Sequence, residues 1–145
     1  WYFAASLRGK CSSQAKQPYY TQRGLGYGRE YIRSYEYYVV DGQNYGLLKS
    51  NLKFEIAKPK VQSVSAVPLE KFNTFHYALY ANIFFDCGWV NDRVHSLTNP
   101  LANEFLYGFG IGLDFVTYYD TVIRMEYGMN KDREHGFFLH FATPI

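Results

Sequence analysis

Apolar and polar residues alternate one by one along much of this chain, the period expected of strands with two unlike faces. In the run from Tyr45 to Ala57, Leu52, Phe54 and Ile56 alternate with Asn51, Lys53 and Glu55. From Phe75 to Phe85, Tyr77, Leu79, Ala81, Ile83 and Phe85 oppose His76, Ala78, Tyr80, Asn82, Phe84 and Asp86, and the strand is expected to stop at Asp86-Cys87-Gly88. Phe105 to Thr117 sets Phe109, Ile111, Leu113 and Phe115 against Gly108, Gly110, Gly112 and Asp114, so one face is bare enough to receive another element. Val122 to Tyr127 puts Ile123, Met125 and Tyr127 outward and Val122, Arg124 and Glu126 inward. Gly136 to Ile145 closes the chain as a strand with Phe137, Leu139 and Phe141 on one side.

Two weaker segments complete the set. Trp1 to Leu7 reads as the end of a strand whose start lies outside the chain, and Pro18 to Gly28 as a strand bent by its glycines. Polar, Pro- or Gly-bearing stretches join them: Arg8 to Pro18, Gly28 to Asn44, Lys58 to Thr74, Trp89 to Glu104, a short turn at Tyr119-Asp120, and Gly128 to His135. The segment Gly28 to Asn44 is too long for a tight hairpin, and long loops in compact architectures are usually functional. The expectation is an all-β antiparallel meander of about seven strands with no amphipathic helix.

Composition narrows the class. The chain has 145 residues and a formal net charge of +2, with 20% aromatic and 19% charged residues. No run of Lys/Arg marks a basic face, so nucleic acid is not an expected partner. No segment approaches the roughly 18 apolar residues of a membrane helix. A transmembrane β-barrel remains, because alternating strands keep mean hydropathy modest, here −0.29, while aromatics collect at the interfaces. Charge on the strands' polar faces (Lys53, Glu55, Asp86, Asp114, Arg124, Glu126) fits such a wall better than the apolar interior of a soluble sandwich.

Within the long loop, Arg33 lies among tyrosines, and a buried guanidinium needs an acid. Four pieces in order resemble the outer-membrane assembly and translocation barrels of the BamA/TamA surface-antigen type. Ile32-Arg33-Ser34-Tyr35 resembles the Val/Ile-Arg-Gly-Tyr/Phe tip of that family's inward-folded loop, with Ser34 where glycine is usual. Asn51 to Pro59 resembles the strand with a lumen-facing Glu, here Glu55, followed by proline. Phe84-Phe85-Asp86-Cys87-Gly88 resembles the Phe-x-Asp-x-Gly motif. Gly108 to Leu113, Ile123 to Gly128 and Gly136 to Phe141 resemble the last strands, whose terminal signal would comprise Gly136, Phe137, Leu139, Phe141 and Ile145; Ile145 is aliphatic where an aromatic residue is common.

The resemblance implies the C-terminal part of a barrel of about sixteen strands, in the bacterial outer membrane, that inserts or translocates other proteins. The implied partners are outer-membrane lipids, client outer-membrane or secreted proteins, and accessory periplasmic or lipoprotein subunits. Arg33 would pair with Asp86 and secondarily Glu55, pinning the loop inside the barrel, and the terminal strand would form a seam open to a client strand. The alternatives are a barrel anchoring an upstream lipase-like enzyme, a passive transport pore and a soluble β-sandwich.

No catalytic constellation, cofactor motif or metal-ligand spacing stands out. The glycine runs lack a P-loop ending, and His76, His95, His135 and His140 are far apart, fitting girdle or loop roles. The tyrosines from Tyr35 to Tyr38 read as interfacial packing. Cys11 and Cys87 are expected to remain unbonded to each other.

Overall fold

The computed structural model describes residues 1–14, 16–63, 74–95, 98–117 and 121–142. Their strands are β1 (Tyr2–Lys10), β2 (Asn44–Ser63), β3 (Thr74–Asn91), β4 (Phe105–Val116), β5 (Val122–Asn130) and β6 (His135–Ala142). They form one antiparallel sheet in chain order, a meander in which β1 and β6 are the two edges. Among the described residues no helix is long and apolar enough to cross a membrane.

Six strands, not about seven, are seen among the described residues. The expected strand from Pro18 to Gly28 is instead a short 3-10 turn (Tyr19–Thr21) followed by single bridges, Leu25 to Val40 and Tyr27 to Glu30. Gly26 and Gly28 adopt φ of 102° and 58°, which breaks the extended backbone a strand needs. The other differences lie at boundaries. β2 continues through Pro59 to Ser63, with register shifts between Glu55 and Ala57 and between Ala57 and Lys60. A proline lacks the ladder N–H, and a bulge is how a strand accommodates it. β3 runs past Gly88 to Asn91, and β5 extends to Asn130 before a tight turn in which Arg133 has a positive φ. The expected turn at Tyr119-Asp120 and the terminal Ile145 lie outside the described residues.

Opposed residues on neighbouring strands share a face, so the alternation passes intact from strand to strand. Leu47, Lys49 and Asn51 of β2 face the same side as Gly88, Asp86 and Phe84 of β3, and these as Leu106, Gly108 and Gly110 of β4. On the other side Ile83, Phe85, Phe109, Ile111, Leu113, Tyr127, Phe137, Leu139 and Phe141 are exposed. A sheet with charges on its covered face and large apolar side chains on its bare one is inverted relative to a soluble sandwich.

The segment between the 3-10 turn and β2 covers the inward face. It contributes Leu25, Ile32, Tyr35 and Val40 to a core completed by Tyr45 and Leu47 of β2, Val90 of β3, Ala102 before β4, and Leu106 of β4. Ile32 is 1% exposed, and burying such a side chain contributes about 1.5–3 kcal/mol. The core is therefore a loop-on-sheet contact.

Candidate functional site

The loop can lie so close because the wall beneath it is glycine. A Cβ added to Gly108 would sit 2.0 Å from the Arg33 carbonyl oxygen, and one on Gly128 would sit 2.2 Å from Ser34 Oγ. At Gly88 the added atom would meet Leu25 and Ile32 side chains at 3.0 and 3.1 Å. These bare positions on β3, β4 and β5 form a floor for the tip Ile32 to Tyr35.

Docked there, Arg33 is 7% exposed and meets Asp86, which is fully buried. Arg33 Nε donates to Asp86 Oδ2 at 2.7 Å and Nη2 donates to Oδ1 at 2.6 Å, a two-pronged pairing, while the Arg33 backbone N–H adds a bond to Oδ2 at 3.2 Å. The remaining donors reach Glu126 Oε1 at 3.2 Å and the Ser50 carbonyl at 2.8 Å, and the guanidinium lies 4.2 Å from the Phe84 ring centroid. Burial alone would push the guanidinium pKa down; Asp86 and Glu126 more than offset it and hold it above its ordinary value. Such a pair is strong while complete and costly when halved.

Glu126 of β5, not Glu55, is thus the second acid. Glu55 is exposed and stands opposite Tyr80. That is six residues along β3 from Asp86, roughly 20 Å at strand spacing.

A second contact ties the loop to the edge strand. His140 Nε2 of β6 lies 3.1 Å from Glu36 Oε1 of the loop and 3.6 Å from Glu126 Oε2, with Tyr31 stacked on its ring. Burial raises the Glu36 carboxyl above its usual range, with His140 pulling it the other way, and burial pushes the Tyr31 hydroxyl to about 12. Ligand atoms of Glu36, Glu126 and His140 all fall within 4.8 Å of one another. Arg33 at 3.2 Å and Arg124 at 4.0 Å already compensate Glu126, so a metal cation would enter against two guanidinium groups, and the trio acts as a clasp.

Two of the tyrosines tie the loop to the turn that follows β5. Tyr35 donates to Asp132 Oδ2 at 3.1 Å and Tyr38 to Glu134 Oε2 at 2.8 Å, both on the turn between β5 and β6. Ser34 carries the strain of the tip. Its φ is 77°, in the region that favours glycine, and its Oγ is buried with no hydrogen-bond partner.

Searches against protein-family models, curated proteins and solved structures return no match to this chain.

Of the residues singled out in the sequence, Ile32, Arg33, Ser34, Tyr35, Asp86 and Gly88 come together at the site, and Glu55 does not. Gly136, Phe137, Leu139 and Phe141 lie on β6, the last three exposed on the apolar face, while an added Cβ on Gly136 would press on the Phe138 ring at 2.4 Å. Glu36, Glu126 and His140 were missed as members. The inward parity of Glu126 was visible in the alternation, but only the placement of the loop brings it to Arg33. Cys11 and Cys87 are both free.

Proposed function

We propose that this chain forms part of the wall of an outer-membrane β-barrel of the BamA/TamA type, which inserts or translocates other proteins, with the Arg33 loop folded back into the lumen. The observation that carries the reading is the buried, two-pronged Arg33–Asp86 contact on a glycine floor. A passive pore needs open lumen, whereas this loop packs onto the inward face through a shared hydrophobic core. The exposed apolar face would contact lipid. In such a barrel the outer edge of β6 would close against the first strand, and opening of that seam would offer a client strand backbone hydrogen bonds. Because Glu36 of the loop holds His140 of that strand, releasing the loop and freeing the edge become linked events.

The test is the full-length protein in liposomes, with the folding rate of an unfolded barrel client as readout and planar-bilayer conductance measured in parallel. The reading predicts accelerated client folding, slowed at least tenfold by Arg33→Gln or Asp86→Asn, and low resting conductance. A large steady conductance without any acceleration of folding would instead identify a pore.

A further inference from the structure

Consecutive loop residues from Tyr35 to Tyr38 grip the last two strands. Tyr35 and Tyr38 donate to Asp132 and Glu134 of the turn between β5 and β6. Tyr37 sets its ring against that of Phe138 on β6, 5.7 Å between centroids, and Glu36 meets His140 of β6 at 3.1 Å. Arg33 reaches β3 and β5 instead. The inward residues Phe138 and His140 of the terminal strand are thus both held by the loop, through Tyr37 and Glu36.

Of these contacts, only that of His140 changes its charge near neutral pH. His140 stands opposite Arg124 on the ladder, and its Nε2 faces two carboxylates, Glu36 Oε1 at 3.1 Å and Glu126 Oε2 at 3.6 Å. The other charged or titratable groups around it are Arg29, Tyr31 and Arg33 of the loop, Arg124 of β5 and Lys49 of β2, which line one cavity of about 630 Å³ with it. The two acids are served unequally. Glu126 has Arg33 at 3.2 Å and Arg124 at 4.0 Å. Glu36 is half-buried, Lys49 attracts it from beyond ion-pair distance, and among the described residues only His140 meets it at contact. A charged imidazolium answers both carboxylates. A neutral ring can offer Nε2–H to one at most, and it leaves Glu36 facing Glu126 with like charge.

We propose that His140 is a pH-operated latch between the loop and the terminal strand, closed while its ring is charged and opened when the ring is neutral, with Arg33 anchored to Asp86 in both states. This rests on reading β6 as the seam strand. A guanidinium keeps its proton throughout the range in which histidine titrates, so the loop has one permanent attachment and one set by proton concentration. Acid opens the latch a second time, at the pH where Glu36 loses its charge, and burial raises that point. The latch is therefore closed between the two titrations and opens as pH rises through that of His140.

The experiment uses the full-length protein in liposomes, with Cys11 and Cys87 replaced by serine and spin labels on Val39→Cys of the loop and Leu139→Cys of β6, both exposed positions. Interspin distances are recorded at about pH 6 and about pH 8.5, on either side of the ordinary histidine value. The parent should give a narrow distribution at the lower pH and a longer, broader one at the higher. His140→Lys, charged at both, should keep the narrow distribution, and His140→Gln and Glu36→Gln should give the broad one at both. His135 of the same hairpin stacks on Tyr127 on the opposite face and stays in place as a control. A parent distribution that ignores pH, a pH response that survives His140→Gln, or a His140→Lys protein that behaves like His140→Gln would overturn the proposal. Client folding measured on the same preparations separates the two readings: acceleration with pH-independent distances removes this inference alone, and pH-dependent distances without acceleration remove the assembly reading.

Discussion

Two acid-centred networks share the inward face of this sheet and are built in opposite ways. Asp114 of β4 meets Arg124 directly across the ladder on β5, with Lys53 and Asn82 adding bonds from β2 and β3. Its two cations keep about a third of their side chains in water. Asp86 meets a guanidinium 53 residues away in sequence, delivered by a loop and almost wholly buried. The first network follows from strand register and can relax into solvent. The second exists only while the loop is docked, and neither partner has a wet alternative.

The largest expected effect follows from that difference. Asp86→Ala strands a buried guanidinium and should cost about 3–5 kcal/mol, freeing residues 28–44 to protease in the full-length protein. Asp114→Ala, whose cations can turn to water, should cost about 1 kcal/mol and leave the loop protected. Equal losses would erase the contrast. Next in size, Gly108→Ala places a methyl against the Arg33 carbonyl without touching a charge, an overpacking cost of about 1–3 kcal/mol. It should expose the loop to protease as Asp86→Ala does.

The two networks also differ in how far the sequence discloses them. Single-residue alternation marked Lys53, Asp114, Arg124 and Glu126 as one face, and a meander needs little more than register to bring Asp114 to Arg124. The Arg33 site was legible in its parts: a cation among aromatics, a strand ending in Asp86, and glycines at 108, 110 and 112 leaving room. What alternation could not supply was the depth at which the loop rests. That is set by Gly88, Gly108 and Gly128 together, and it selects Glu126 over Glu55. Pro18 to Gly28 misled for a local reason: its glycines were expected to bend a strand, and Gly26 and Gly28 instead turn the backbone out of the strand region.

Smaller effects sharpen the picture. Ser34→Gly relieves a left-handed backbone and removes a buried, unpartnered hydroxyl, and should gain on the order of 1 kcal/mol, seen as a higher unfolding temperature with the loop still protected. The weakest effect is a pH dependence beyond β3. Asp92 accepts from the backbone N–H groups of Val94 and His95 and from Gln43, and these bonds overcome burial to hold its carboxyl below the ordinary 3.8. A depressed folded-state value contributes stability that is present above 3.8 and is lost as pH falls through the folded value. Acidification below about pH 4 should therefore speed amide exchange around Asp92 to His95, and Asp92→Asn should remove that pH dependence.

The central claim is that Arg33 and Asp86 hold one another inside the wall. A double-mutant cycle in the full-length protein, with Arg33→Met, Asp86→Leu and the pair, read by protease protection of the loop and by unfolding, tests it most directly. Each single change should be severe, and the pair should cost at least about 2 kcal/mol less than their sum. Costs that add to within about 0.5 kcal/mol, with the loop equally protected in all four proteins, would contradict it.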